Sequence, residues 1–530
     1  MKSSLPKIIR YLVMLALLLA AAVYASSSLL LPVPAPETSP SDTFSAETAF
    51  RHLYEISREK HPAGSEAATP VVDYLVNSLK ISGIEASIQK SSEKRGDKVY
   101  PVQNVLARIP GKNPGPALLI VTHFDSTPFG QGAGDNGSGT AVLLETARAI
   151  KAGPPMENDL ILLFEDGEEL GYLGGFAFAR EHPWMQDVRL AIGLDTAAWG
   201  PVVLLQTTPL NGNLVKGYAQ SVNMPTAYGF FADADWNIAH DDSEILPFVL
   251  KGIPGIELED PTASLSKHSE LDVVSKVNES SMQQMGSQLV SLVRFYGASD
   301  LSQVAAPDES FFTLPGFGVI HYPAIINPVL ASLVFAGMLG LVGAGLRRKS
   351  LDGKKLLLAF LASLGLVVVL GLISLQLSNL FMGWFPRPNE HIDSYLVPAS
   401  LPYFSGALTL VTIIFAASRV SLSRKLGVEN IAAAGLLLWG GLSLLFAFLL
   451  KVGSYGFVWL ALFSLLAWTS SMVLRQTWLR RALAGIGLMG GVILFTPDMV
   501  LAFIGTGTGN LFLVAVILIM LTELYLAAVE

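Results

Sequence analysis

Three kinds of hydrophobic pattern divide the chain. An apolar run from Tyr11 to Leu31 follows Lys2, Lys7 and Arg10 and leads into PVPAPETSP (32–40), which reads as a short stiff linker. At about 1.5 Å per residue the run reaches roughly 30 Å, enough for a helix to cross a bilayer. Between residues 45 and 300, short apolar stretches alternate with stretches of helical spacing. ALLIVTHFDS (117–126), DLILLFEDGEE (159–169) and RLAIGLDTAA (189–198) read as buried strands ending in polar residues, and Thr140–Ile150 reads as a helix. This alternation predicts an α/β domain with a largely parallel sheet. From residue 323 onward the pattern becomes seven long apolar runs, at about 323–346, 356–379, 400–418, 431–450, 455–474, 482–503 and 510–528. These predict transmembrane helices. The expected organisation is an N-terminal anchor or signal (1–31), a linker (32–43), a soluble domain (44–300), a second linker (301–322) and an all-α multi-span domain (323–530).

The polar residues between the spans give sidedness. Arg347, Arg348, Lys349, Lys354 and Lys355 fill one loop, Arg419, Arg424 and Lys425 another, and Arg475, Arg480 and Arg481 a third. The alternate loops hold Arg387 with Glu390 and Asp393, then Lys451, then the uncharged GTGTGN. Basic loops stay in the cytoplasm, and the N-terminal cluster demands the same orientation. Both termini are expected inside and residues 32–319 outside. AVYASSS (22–28) offers the alternative of a cleaved signal peptide, which exports the same domain.

Composition sharpens this division. Of 530 residues, 51% are hydrophobic and 15% charged, with a mean hydropathy of +0.49 and a net charge of −8. The charge is uneven: residues 320–530 carry 13 basic against 7 acidic residues, and residues 32–319 carry 19 against 36. A soluble body at −17 disfavours nucleic acid as a partner, because phosphate binding needs a basic footprint. Cysteine is absent, which excludes disulfides and thiolate metal sites. Any metal must be held by His, Asp or Glu, and an exported domain without cysteine favours a bacterial inner or cell membrane.

The predicted strand ends bring such residues together. Ligands in open α/β sheets gather at the carboxyl ends of the strands, where this chain places His123 with Asp125, Glu168 with Glu169, and Asp195. Asp135 in GAGDNGSG is a candidate bridging carboxylate, and His268 in SKHSELD a further imidazole. Imidazole and carboxylate suit zinc. A metal-activated water needs a base, which one of Glu168 and Glu169 can supply, and Asp125 can orient His123. Weaker candidates are Glu165, Asp166, His182, Trp199, Phe230, His240, Asp241 and Asp242, with Asp498 and Glu523 as acids inside spans. The last two are expected to reach the membrane interface.

The succession VTHFDS, GAGDNGSGTAVLLE, FEDGEELGYLGG, GLDTAAWG, GIPGIEL and KHSELD resembles the two-zinc aminopeptidase family, which includes bacterial leucyl aminopeptidases and glutamate carboxypeptidase-like metallopeptidases. The resemblance runs from about Phe44 to Tyr296, includes HPAGS (61–65), and is strongest to the membrane-bound endoplasmic-reticulum metallopeptidase branch. It implies a phosphorylase/hydrolase-like αβα sandwich with a mixed sheet. It also implies two Zn2+ per chain: His123 and Asp195 on one, Glu169 and His268 on the other, Asp135 bridging, Glu168 as general base and Asp125 orienting His123. The implied activity is hydrolysis of peptides with a free N-terminus. A catalytically silent receptor or scaffold, a membrane-complex subunit, and glutaminyl cyclase chemistry are the alternatives. Two departures stand out: Lys267 where many members carry an aromatic residue, and the dense acidic cluster in FADADWNIAHDDSEI (231–245).

Overall fold

The computed structural model describes residues 5–239, 243–262, 267–384, 401–506 and 511–529. The chain divides into two compact units. Leu29–His321 forms one, and Met1–Ser28, Tyr322–Pro386 and Tyr395–Glu530 together form the other.

Helix α1 (Leu5–Ser26) belongs to the second unit. The first unit opens with α2 (Ala46–Ile56) and α3 (Ala68–Ile81), then the hairpin β1 (Ala86–Arg95) and β2 (Lys98–Ile109). Next come β3 (Ala117–His123), α4 (Gly139–Ala152), β4 (Asp159–Glu165), α5 (Leu173–Glu181) and β5 (Val188–Asp195). There follow β6 (Val203–Thr207), α6 (Gly212–Ser221), α7 (Gly229–Ala239), the single turn α8 (Leu246–Val249), β7 (Gly255–Glu259) and α9 (Glu279–Gly297). The hairpin β8 (Glu309–Leu314) and β9 (Gly318–Pro323) ends the series.

Seven strands form one sheet in the order β1-β2-β4-β3-β5-β7-β6. Its centre, β4-β3-β5-β7, is parallel; β2 and β6 run antiparallel to it, and β1 pairs antiparallel with β2. Every residue of β3 and β4 is buried, as expected of strands covered on both faces. Leu119, Val121, Ile161 and Leu163 pack with Phe178 of α5 and Phe248 of α8. The alternate residues Leu118, Ile120, Leu160 and Leu162 are equally buried on the opposite face, where α4 and α9 lie against the sheet. Burying one such side chain contributes roughly 1.5–3 kcal/mol, so the parallel centre is the rigid part of the unit. The result is the αβα architecture with a mixed, mostly parallel sheet that the sequence predicts.

Both expected linkers are more ordered than their composition suggests. In residues 32–43 the Ala35 amide donates to Gln283 Oε1 at 2.8 Å, and Arg148 Nη2 donates to the Thr43 carbonyl at 2.9 Å. Within 301–322 the β8–β9 hairpin closes on the same unit: the Glu309 amide meets Asn211 Oδ1 at 2.9 Å and the Thr313 amide meets the Ala227 carbonyl at 2.8 Å. Side-chain amides and guanidinium groups thus satisfy backbone that sequence periodicity leaves unassigned.

The second unit is helical: α1, then α10 (Ile326–Arg347), α11 (Gly353–Trp384), α12 (Leu401–Leu426), α13 (Val428–Leu449), α14 (Tyr455–Val473), α15 (Thr477–Thr506) and α16 (Leu511–Val529). Six helices among the described residues are long and apolar enough to cross a membrane, namely α1, α10, α11, α12, α13 and α15, and α14 contains a shorter apolar stretch. Each of the seven predicted runs falls on one of α10–α16. Asp498, expected to reach the interface, is instead 1% exposed and accepts a hydrogen bond from the Tyr455 hydroxyl at 2.6 Å, joining α14 to α15. The side chain of Glu523 lies outside the described residues.

Candidate metal centre

The parallel strands deliver their last residues to one edge. His123 ends β3 opposite Glu165 of β4, and Asp195 ends β5 opposite Glu259 of β7. Beyond β3 the chain turns through Gly132–Ser138, and the turn is held chiefly by Asn136, which is fully buried. Its Nδ2 donates to Thr122 Oγ1 at 3.0 Å and to the Leu194 carbonyl at 2.7 Å, and its Oδ1 accepts the amides of Gly139 (3.0 Å) and Thr196 (3.1 Å). All four hydrogen-bonding positions of the amide are used, which ties the turn to both β3 and β5. Ser138 adds a bond to the Gly134 carbonyl at 2.8 Å. From the SELD segment, Asp272 accepts the amides of Gly134 (2.5 Å) and Asp135 (3.3 Å).

This scaffold places Asp135 between two imidazoles. Its Oδ1 lies 3.2 Å from His123 Nε2 and its Oδ2 lies 3.1 Å from His268 Nε2. His268 Nε2 is also 3.1 Å from Glu169 Oε2. Two groups of ligand atoms result, each within 4.8 Å of one another: Asp135, Glu169 and His268, and His123, Asp195 and Glu244. Ligand atoms bound tetrahedrally at about 2.0–2.1 Å are about 3.3–3.4 Å apart, so these spacings suit a metal ion. Glu169 Oε1 and both oxygens of Glu244 accept no hydrogen bond from a described residue, though all are buried. Buried carboxylates in that condition need a cation or a proton. The donor set, imidazole nitrogen with carboxylate oxygen, therefore fits zinc.

Electrostatics agree with a site built for cations. Burial would depress His268, but Asp135 and Glu169 hold it up, to about 11. His123 is raised well above the ordinary imidazole range despite complete burial, chiefly by Glu168. Burial also works against the charge of Asp135, yet the two imidazoles keep it well below the carboxylate range. Desolvation pushes Glu169 to about 7 and Glu168 well above its usual value, with neighbouring carboxylates adding to the effect.

Glu168 Oε2 lies 3.6 Å from His123 Nε2, on the partly open side of the cluster. The Nδ1 of His123 points the other way, 3.1 Å from the main-chain carbonyl of Asp125 and 3.4 Å from its carboxylate. Asp125 Oδ1 also accepts the Glu168 amide at 3.1 Å, linking the imidazole to the Glu168 turn. A cavity of 630 Å³ opens onto Asp125, Glu169 and His268 and is lined further by Pro62, Arg95, Tyr100 and Phe129. The HPAGS segment sits on it because His61, fully buried, is pinned 2.6 Å from the Phe124 carbonyl.

All seven predicted site residues converge on this edge. Glu165 and Asp166 do not join either ligand group. Glu165 turns back to the Gly175 amide, and Asp166 accepts the Gln103 amide at 2.9 Å. Trp199 packs over Gly134, and His182 stacks on Phe178 with ring centroids 5.0 Å apart. His240, Asp241 and Asp242 lie outside the described residues. Glu244, which sequence reasoning missed, belongs to the acidic cluster at 231–245. That cluster was the available signal, but loop sequence carries no periodicity to say which acid turns inward.

Residues 104–293 match the model of Peptidase family M28. Endoplasmic reticulum metallopeptidase 1 of Rattus norvegicus is 27% identical over 269 residues, covering 48% of this chain and 29% of that protein. A vacuolar membrane protease of Candida albicans is 29% identical over 271 residues, covering 50% of this chain and 32% of that protein. The chain thus spans about a third of the length of the curated relatives it matches. Among solved structures, a zinc aminopeptidase from Bacillus subtilis aligns at 15% identity and a TM-score of 0.40, covering 50% of this chain and 99% of that one. Porphyromonas gingivalis glutaminyl cyclase aligns at 19% identity and a TM-score of 0.40, covering 48% and 98%.

Proposed function

The chain carries a metallopeptidase domain of family M28, and from that premise we propose a membrane-anchored exopeptidase that uses two zinc ions and removes residues from the free N-terminus of peptides outside the cytoplasm. The observation that carries this reading is Asp135, with one oxygen 3.2 Å from His123 and the other 3.1 Å from His268, beside Glu168. His123 and Asp195 would hold one zinc, Glu169 and His268 the other, and Asp135 would bridge them. Bound zinc supplies Lewis-acid chemistry, polarising the scissile carbonyl and making water a better nucleophile. Glu168 is placed to take the proton of the attacking water and return it to the leaving amine. Asp125 fixes His123 in the tautomer that leaves Nε2 free. The excess of acidic residues in 32–319 favours a cationic N-terminus, and the 630 Å³ cavity accepts the residues that follow.

The basic ends of α10, α12 and α15 support the orientation. With those ends in the cytoplasm, the first unit lies outside, in a bacterial inner or cell membrane. The test is purified full-length protein against N-terminally free and blocked peptides, with and without chelator. Release of amino acids from free peptides alone, abolished by chelator, is expected. Cleavage of blocked peptides at the same rate refutes the exopeptidase assignment, and ammonia release from N-terminal glutamine without peptide cleavage replaces it with cyclase chemistry.

A further inference from the structure

We infer that Glu244 is a fourth protein ligand at the His123–Asp195 metal position, so that this position is closed by protein while the Glu169–His268 position keeps an open site. The inference rests on the two-metal reading above and deepens it. Three observations carry it.

The first is position. A carboxylate oxygen of Glu244, Nε2 of His123 and a carboxylate oxygen of Asp195 lie within 4.8 Å of one another, and Glu244 Oε1 is 3.8 Å from His123 Nε2. The second is what Glu244 lacks. It is 2% exposed, and neither of its oxygens accepts a hydrogen bond from a described residue. A buried carboxylate without donors is heavily penalised unless a cation sits beside it.

The third is that the approach is built. Glu257 of β7 accepts the Ser243 hydroxyl and, at 3.1 Å, the Glu244 amide, fixing the corner from which the side chain projects. On β5, two residues before Asp195, a Cβ at Gly193 would lie 2.9 Å from Glu244 Cβ. The strand is bare where Glu244 crosses it.

The consequence is inequality between the two metal positions. With Asp135, whose Oδ1 lies 3.2 Å from His123 Nε2, the group His123, Asp195 and Glu244 would supply four protein ligands, the number typical of a closed, structural zinc, whereas Asp135, Glu169 and His268 would leave a position for water or substrate. The carboxylates Asp135, Glu169, Asp195 and Glu244 also match the charge of two divalent cations.

The experiment uses the full-length protein in detergent, loaded with zinc. Zinc per chain and release to a chelator are measured, and the visible spectrum is recorded after cobalt substitution. The wild type should hold two zincs, one released slowly and one rapidly. Glu244→Gln should weaken the slow zinc by more than about a hundredfold, keep the rapid one, and change the cobalt spectrum. The retained zinc reports an intact fold. Glu244→Asp, which withdraws the carboxylate by one methylene, should also shift the spectrum while folding normally. Unchanged release rates in Glu244→Gln, or an unchanged cobalt spectrum in either variant, overturns the inference. A wild type holding fewer than two zincs defeats the two-metal reading itself, a separate result.

Discussion

Glu168 and Glu169 are neighbours in sequence but face different imidazoles. Gly167 takes a left-handed φ of 85°, so the chain enters a short turn that aims Glu168 Oε2 at His123 Nε2 (3.6 Å) and Glu169 Oε2 at His268 Nε2 (3.1 Å). A carboxylate on the open side of a ligand cluster can exchange protons, whereas one within it is committed to the cation. Glu168→Gln should therefore lower kcat by about a hundredfold to ten-thousandfold while leaving zinc content unchanged. Measuring both on one preparation separates the base from a ligand, because a ligand variant loses metal along with rate. The same residues predict how metal and protons compete. His268 is raised to about 11 and His123 well above the imidazole range, so both carry protons at neutral pH before metal arrives. A metal needs them deprotonated. Loading must release protons, and apparent affinity must fall as pH is lowered. Titration calorimetry of the metal-free protein in buffers of different ionisation enthalpy should give a buffer-dependent heat, and a buffer-independent heat would contradict this account.

The turn between β3 and α4 shows how much positioning depends on backbone supports rather than on the ligands themselves. Asn136 satisfies two donors and two acceptors against β3, β5 and its own turn, and a Cβ on Gly139 would collide with Asn136 Oδ1. Asn136→Ala takes the side-chain partner from the Thr196 amide and the Leu194 carbonyl in a dry interior, at about 1–3 kcal/mol for each group that finds no water, while the Gly139 amide keeps the main-chain carbonyl of residue 136. Chemical denaturation should show a loss of about 3 kcal/mol, with weaker zinc binding because Asp135 is no longer held between the imidazoles. A variant as stable as the wild type would show that Asp272, through the Gly134 and Asp135 amides, suffices to hold the turn. Such supports explain what was legible in the sequence. The strands were legible because β3, β4 and β5 are apolar along most of their length and end in charged or imidazole side chains, and the spacing of GAGDNGSG and GEE marks turns. Glu244 and Asp272 were not, since each comes from loop sequence and acquires meaning only when β7 or the SELD segment is folded against β5 and the Asp135 turn. The two linkers misled for the same reason: their backbone is bonded by Gln283, Arg148 and Asn211, residues more than a hundred positions away or in another element.

At the scale of the whole chain, the charge division becomes a statement about sidedness. Residues 32–319 carry 19 basic against 36 acidic residues, and the basic residues of the second unit fall at alternate helix ends. Arg347, Arg348 and Lys349 close α10, Arg424 and Lys425 close α12, and Arg480 and Arg481 lie in the opening of α15. Lys451, between α13 and α14, stands alone at an opposite end. If basic ends remain in the cytoplasm, the first unit must face outward. The absence of cysteine turns this into a clean measurement, because a single introduced cysteine is the sole thiol in the chain. Two positions suffice: Lys349, exposed after α10, and Asp97, exposed in the β1–β2 turn. A thiol reagent that cannot cross membranes, applied to intact cells that carry the protein in their surface membrane, should label Asp97→Cys and spare Lys349→Cys until the membrane is made permeable. The reverse pattern would put the candidate metal centre in the cytoplasm and would leave the acidic unit beside the anionic inner leaflet. Labelling of both positions in intact cells would mean that the apolar helices do not seal the chain across one bilayer. Only the first outcome lets a peptide outside the cell reach the cavity that opens onto Glu169 and His268 without crossing the membrane.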